Sequence, residues 1–296
     1  MVGRGDFLRS IPDAAALAEY LGCVENGKSY GSLVGDKGVG TFGGSEDHTA
    51  IMNCRQGHLL MASFCPTKLL HQVSVPHHLV FVIASSGVTA EKTAAARDHY
   101  NKAAEAASNA AHALGAAHLG EALAVRGDSN CRACLSDDFG MLQRFHQFAE
   151  ETNTIVPQLA NAIASGNLHA ASDVASCSHT LGKAALRNLV EETAWLPRQA
   201  AALFPDNYGN SSSGSSSSAS SSSSTSLAID NSRTPTFGGS SAFGAGFGGS
   251  VWALVDAQSS AAFKAAWRQG YLRAFPEHAE TAAFFVMRPG PGACRL

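Results

Sequence analysis

The sequence predicts an α+β protein in which an antiparallel sheet is backed by helices. Short runs rich in β-branched and aromatic residues, LVFVIA at 79–84 and VWALV at 251–255, have the length and composition of strands. They alternate with much longer alanine-rich helical patterns, without the regular spacing of a doubly wound sheet. Two glycine-rich segments, GVGTFGGSEDH at 38–48 and SAFGAGFGGS at 241–250, stand far apart in the chain. Glycine this dense costs conformational entropy and marks backbone that bends sharply or approaches a ligand closely.

In chain order, residues 12–21 read as a helix with Pro12 at its start and Gly22 at its end. Glycine-rich loop follows to Gly44, then a short helix after Asp47. Residues 59–64 (LLMASF) and 79–84 suit strands, and 89–114 is an alanine-rich helix. Two further helical patterns span 141–164 and 168–203, broken by Pro157 and by Gly166-Asn167. The last block reads strand 251–255, helix 259–275 and strand 281–287. Between 205 and 240 lies a low-complexity insertion in which 211–226 holds thirteen serines in sixteen positions. Such a tract buries too little apolar surface to offset its ordering entropy, which predicts disorder.

Composition narrows the classes of function. With 45% hydrophobic and 15% charged residues in 296, the chain is long enough for one large or two small globular domains. A net charge of -3 with dispersed basic residues gives no footprint for nucleic acid. No apolar run has the length of a membrane span. Seven scattered cysteines do not form a secreted disulfide framework, so the expected setting is reducing and cytoplasmic, with a monomer favoured. Cys54 and Cys65 flank apolar strands and read as structural. Cys131 and Cys134 form a lone CxxC in what reads as a surface loop, so no metal is assigned. Gly38, Gly40 and Gly43 fit a dinucleotide fingerprint, but no convincing strand leads into it.

The chemistry-bearing candidate is Asp47. An acid behind the flexible Gly43-Gly44 turn could accept a proton from, or orient, a substrate hydroxyl. The same pattern also suits a helix N-cap, and the residues alone favour capping. The later loop, with Gly244, Gly246, Gly248 and Gly249, could offer backbone N–H groups to a phosphate, or simply turn tightly before a buried strand. Tyr100, on the long helix, suits either a ligand contact or half-buried packing.

Taken together, these segments resemble the galactokinase-like members of the GHMP kinase superfamily. GTFGGSEDH is similar to the family's glycine-rich turn and catalytic aspartate, although Glu46-Asp47-His48 stands where Met-Asp-Gln is commoner. GAGFGGS is similar to the last glycine motif, SSGVTAEKTAAARDHYN to the segment carrying a sugar-contacting tyrosine, and HTLGKAALRNLVEET to the late helix. The ending RPGPGA is similar to a tail of a bacterial-type branch. The resemblance implies a GHMP-kinase-like fold, with 1–75 as the remainder of an N-terminal domain and 76–296 as the C-terminal domain. It implies ATP with Mg2+, a small-molecule sugar as substrate and a sugar 1-phosphate as product. Asp47 would be catalytic, Gly43, Gly44 and Tyr100 would meet the sugar, and Gly244, Gly246, Gly248 and Gly249 would line the site. The family's N-terminal sugar motif and its phosphate loop are not found, nor is the arginine that partners its aspartate. The chain thus reads as the C-terminal two thirds of such a kinase. The alternative is a non-catalytic sugar-binding or sensor relative.

Overall fold

The computed structural model describes residues 9–40, 42–64, 66–89, 94–187, 189–204, 236–244 and 248–293, with the side chains of 94–100 outside that set. The fold is organised by one strand, β3 (Leu79–Ser85), whose alternate residues feed two different cores. β3 pairs antiparallel with β5 (Ser250–Asp256) on one side and β6 (Ala283–Met287) on the other. β4 (Phe237–Ala242) pairs antiparallel with the far edge of β5, giving the order β4-β5-β3-β6. With helices between β3 and β4 and between β5 and β6, this is a split β-α-β-β-α-β sheet. A separate hairpin-like pair, β1 (His58–Ser63) and β2 (Lys68–Ser74), precedes it.

On one face of the sheet, Val80, Val82 and Ala84 pack with Val251, Ala253 and Val255 against two helices. These are α9 (Glu191–Ala202) and α10 (Ser260–Ala274), which bring Leu196, Phe263, Trp267 and Tyr271. On the other face Leu79 and Leu254 meet Val73, Ile163, Leu168 and Ala171. The period-two alternation of β3 is thus what sorts the two cores. The Tyr271 hydroxyl reaches through to donate to the Ser86 carbonyl at 2.6 Å, and both residues are fully buried. Burial, together with Glu192 and Glu277, pushes this phenol's pKa up, so it remains a donor. Tyr271→Phe is expected to cost about 1–3 kcal/mol by orphaning that carbonyl, read from the urea midpoint of unfolding.

A helical layer occupies the long connection after β3. It comprises α3 (Ala94–Ala113), α4 (Leu119–Arg126), α5 (Asp128–Cys134), α6 (Phe139–Glu150), α7 (Val156–Ala164) and α8 (Leu168–Leu186). Ala110, Leu114, Leu119, Cys131 and Phe145 share a core of their own. Cys131 is fully buried there, so the segment expected to be a surface loop is instead a short helix. Between α6 and α7 the helix runs through a π-helical turn, Glu151–Ile155, which places Pro157 in the first turn of α7. The second long pattern divides at Arg187, the only non-glycine with positive φ among the described residues.

The first helix, α1 (Ala14–Asn26), is capped by the Asp13 carboxylate and ends at Gly27, five residues beyond the expected Gly22. Gly22 lies inside it, where a Cβ would come within 2.9 Å of the Ser45 Cβ. That close approach overrides the helix-stopping tendency of glycine. The insertion expected over 205–240 also begins to end earlier, because β4 starts at Phe237; residues 205–235 lie outside the described set. No helix among the described residues is long and apolar enough to cross a membrane.

Candidate functional site

Asp47 sits in the first turn of α2 (Glu46–Asn53), exposed, one residue after Glu46. The capping position belongs to Ser45, not Asp47, and the helix starts one residue before the aspartate rather than after it. The Ser45 hydroxyl caps nothing; it is buried and hydrogen-bonded to the Thr49 and Thr67 hydroxyls, each at 3.1 Å. Adjacent acids in a first turn are favoured by the partial positive charge of the helix N-terminus. Glu46 is an exposed residue, yet protein around its carboxyl desolvates it and Asp47 repels it, and both effects raise its pKa.

The helix and the glycine loop before it are held from several sides. Asn26, the last residue of α1, accepts the Gly43 amide at 2.5 Å and donates to the Gly43 carbonyl at 2.9 Å. Its amide also reaches the Gly22 carbonyl at 2.6 Å, so one side chain ties loop to helix. His48, where the family pattern more often has glutamine, lies 3.1 Å from Glu25 of α1. At the far end of α2 the Gly292 and Ala293 amides donate to the Cys54 and Ile51 carbonyls at 2.8 and 2.6 Å. A Cβ on Gly292 would stand 2.7 Å from the Cys54 oxygen, which explains a glycine in the RPGPGA tail. That tail thereby satisfies carbonyls that a helix C-terminus leaves open.

Two distant motifs meet through Asn101, on α3. Its side chain accepts the Phe42 amide at 2.9 Å and donates to the Gly40 carbonyl at 3.1 Å. The neighbouring Tyr100 lies on the same helix, but its side chain is outside the described residues. Gly43 is half-buried and Gly44 exposed, so both stand at the surface beside Asp47's turn. Asn101→Ala is expected to cost about 1–3 kcal/mol and to loosen 38–44, seen as faster hydrogen exchange at the Phe42 amide.

The second glycine loop is pinned to the segment between β3 and α3. Ser86 donates its amide and its hydroxyl to the Gly249 carbonyl at 2.9 and 2.8 Å, and the Gly249 amide donates to the Val88 carbonyl at 2.9 Å. Gly244, Gly248 and Gly249 have φ of 56, 124 and 78°, backbone that side chains resist. The Gly249 amide is committed to Val88, so at that position the loop is a tight structural turn. Gly246 falls outside the described residues. Both glycine loops are therefore anchored on the stretch from Ser86 to Asn101.

Elsewhere, Glu192, Glu277 and His278 bring ligand atoms within 4.8 Å of one another. His278 and Glu192 already pair at 3.1 Å, which joins α9 to the turn after α10.

Of the anchoring residues, Asn26 and Asn101 carry no motif of their own in the sequence. Asn26 gives no signal before the loop is seen to fold against it; Asn101 belongs to the Tyr-Asn pair but is overshadowed by its neighbour.

Over 96% of its length the chain superposes on a crystal structure of Lactococcus lactis galactokinase complexed with galactose, with a TM-score of 0.62 at 19% sequence identity. The fold is galactokinase-like. It agrees with the α+β, GHMP-kinase-like fold expected from the sequence. The chain spans 66% of that galactokinase's length. An L. major mevalonate kinase in complex with R-mevalonate gives a TM-score of 0.38 at 14% identity, covering 80% of this chain and 50% of that one. No family model and no curated protein sequence matches.

Proposed function

We propose that this chain takes part in ATP-dependent phosphorylation of a monosaccharide, forming a sugar 1-phosphate, with Asp47 as the residue that receives the hydroxyl proton. One observation carries the reading. The exposed Asp47 carboxylate stands at the start of a helix whose preceding glycine loop is bonded, through Asn101, to the helix bearing Tyr100. A galactokinase-like fold supports placing these three motifs around one substrate.

In phosphoryl transfer the sugar oxygen forms a bond to the γ-phosphorus as the bond to the departing ADP breaks. ATP with Mg2+ would supply that phosphoryl group; no residue here is assigned to the metal. The chain's own part is to hold the sugar and take its proton. Gly43 and Gly44 expose backbone without side-chain bulk, Tyr100 adds a ring and hydroxyl, and Asp47 accepts the proton as the oxygen attacks. A second reading, a sugar-binding protein without turnover, is favoured by the Gly249 amide being committed to Val88.

The test is ADP release by the purified chain with a panel of sugars, beginning with galactose because the similar galactokinase was crystallised with it. Sugar-dependent turnover supports the kinase reading. Saturable sugar binding without turnover supports the binding protein, and the absence of both turnover and binding overturns both readings.

A further inference from the structure

Between α8, α9 and β4 lies a cavity of about 650 Å³ that shares no residue with the two glycine loops or α2. Its wall on α8 carries Ser176, His179, Thr180 and Lys183, spaced so that they fall on one helix face. Arg198 enters from α9, Ser240 of β4 closes one side with its hydroxyl donated to the Trp252 carbonyl at 2.6 Å, and Pro197 and Phe237 add apolar surface. No aspartate or glutamate is among the lining residues.

Lys183 and Arg198 both stand close enough to His179 to act on its charge. His179 is half-buried, and desolvation, Lys183 and Arg198 all push its pKa down. The Arg198 Nε is fixed on the Ala194 carbonyl at 3.2 Å, which holds the guanidinium stem to α9. Among the described residues, neither Lys183 nor His179 has a carboxylate or other hydrogen-bond partner. Like charges gathered around a concave space with hydroxyls between them repel until an anion enters, and a volume in this range suits a small organic ligand.

We propose that this cavity binds a small phosphate-bearing metabolite, its phosphate held by Lys183, Arg198 and His179 and its organic body by Pro197 and Phe237. A guanidinium and an ammonium together recognise a phosphate by charge-assisted hydrogen bonds, with the hydroxyls of Thr180 and Ser176 as neutral donors. The proposal is independent of the kinase reading, since none of its residues belongs to that site.

The experiment titrates the full chain, without nucleotide, with glycerol 3-phosphate, inorganic phosphate and neutral glycerol, by calorimetry and by the His179 ring signals in NMR. Glycerol 3-phosphate should bind saturably at one site, inorganic phosphate more weakly, and glycerol not at all. The bound phosphate should also raise the His179 pKa. Lys183→Met and Arg198→Met, both at exposed positions, should each weaken binding about tenfold or more, while Asp47→Asn leaves it unchanged. Absence of saturable binding overturns the proposal. So does binding untouched by both cation substitutions, or binding lost in Asp47→Asn, which would place the phosphate at the candidate kinase site. Unfolding midpoints matched to the parent protein show that the variants are folded; should one fail that check, the His179 signals of the unsubstituted chain decide.

Discussion

Asp47→Asn should lower the sugar-dependent rate of ADP release by about 10²–10⁴-fold, the range that a positioned general base contributes. The substitution keeps size and hydrogen-bonding capacity but removes the proton acceptor. Because Asp47 is exposed and makes no hydrogen bond that fixes α2, stability should stay within about 0.5 kcal/mol of the parent. A purely structural role would give the reverse pattern, a changed unfolding midpoint with turnover intact. The neighbour supplies a second readout. Part of the rise in the Glu46 pKa comes from repulsion by Asp47, so removing that charge should bring the Glu46 pKa down, measurable by carboxyl NMR. A raised carboxylate pKa weakens folding as pH climbs through it, because the folded state then holds a proton the unfolded state has released. Asp47→Asn should therefore flatten the decline in stability on the alkaline side of the ordinary glutamate range.

Trp267→Ala should be the most damaging single change to the fold, costing about 3–5 kcal/mol from the cavity alone. Trp267 is fully buried between α9, α10 and the sheet, stacked on Phe263 at 5.2 Å and edge-on to Phe284 at 5.5 Å. Its indole also donates to the Leu196 carbonyl at 3.0 Å, an acceptor that would be left buried and unmatched. A domain stabilised by about 5–15 kcal/mol has little left after such a loss. Trp267→Phe separates the terms, since it keeps most of the packing and loses the hydrogen bond. Urea midpoints of the two variants check the order; an alanine variant losing under about 2 kcal/mol would contradict this account of the core.

The strands that were legible in the sequence are those whose residues announce burial. Residues 79–84 and 251–255 are continuous apolar runs because β3 and β5 lie in the interior of the sheet, covered on both faces. β4 was not legible, since FGGSSA has the composition of a loop. The reason lies in its packing: a Cβ on Gly239 would meet the Ala175 Cβ at 2.7 Å, so α8 lies too close for anything larger. β2 hid for a different reason, its middle being exposed and its apolar pattern weak. α5 reads as a loop in the sequence because GDSNCRAC is turn-like, whereas its single buried residue, Cys131, fixes it against α4. At the site, the glycine segments and Asp47 could be picked out as motifs. The asparagines that draw them together could not, because their partners are backbone groups far away in the chain.

The pairing of β3 also sets a timetable for synthesis. The bond from Ser86 to Gly249 spans 163 residues and that from Tyr271 to Ser86 spans 185. A ribosome adding about 5–20 residues per second therefore exposes β3 for roughly ten to thirty seconds before either neighbouring strand exists. During that interval an apolar strand with two unsatisfied edges is a template for wrong partners. Contacts this distant along the chain also slow folding after release. Yield in a cell should accordingly depend on chaperone supply and on translation speed more steeply than the equilibrium stability of the finished protein would suggest.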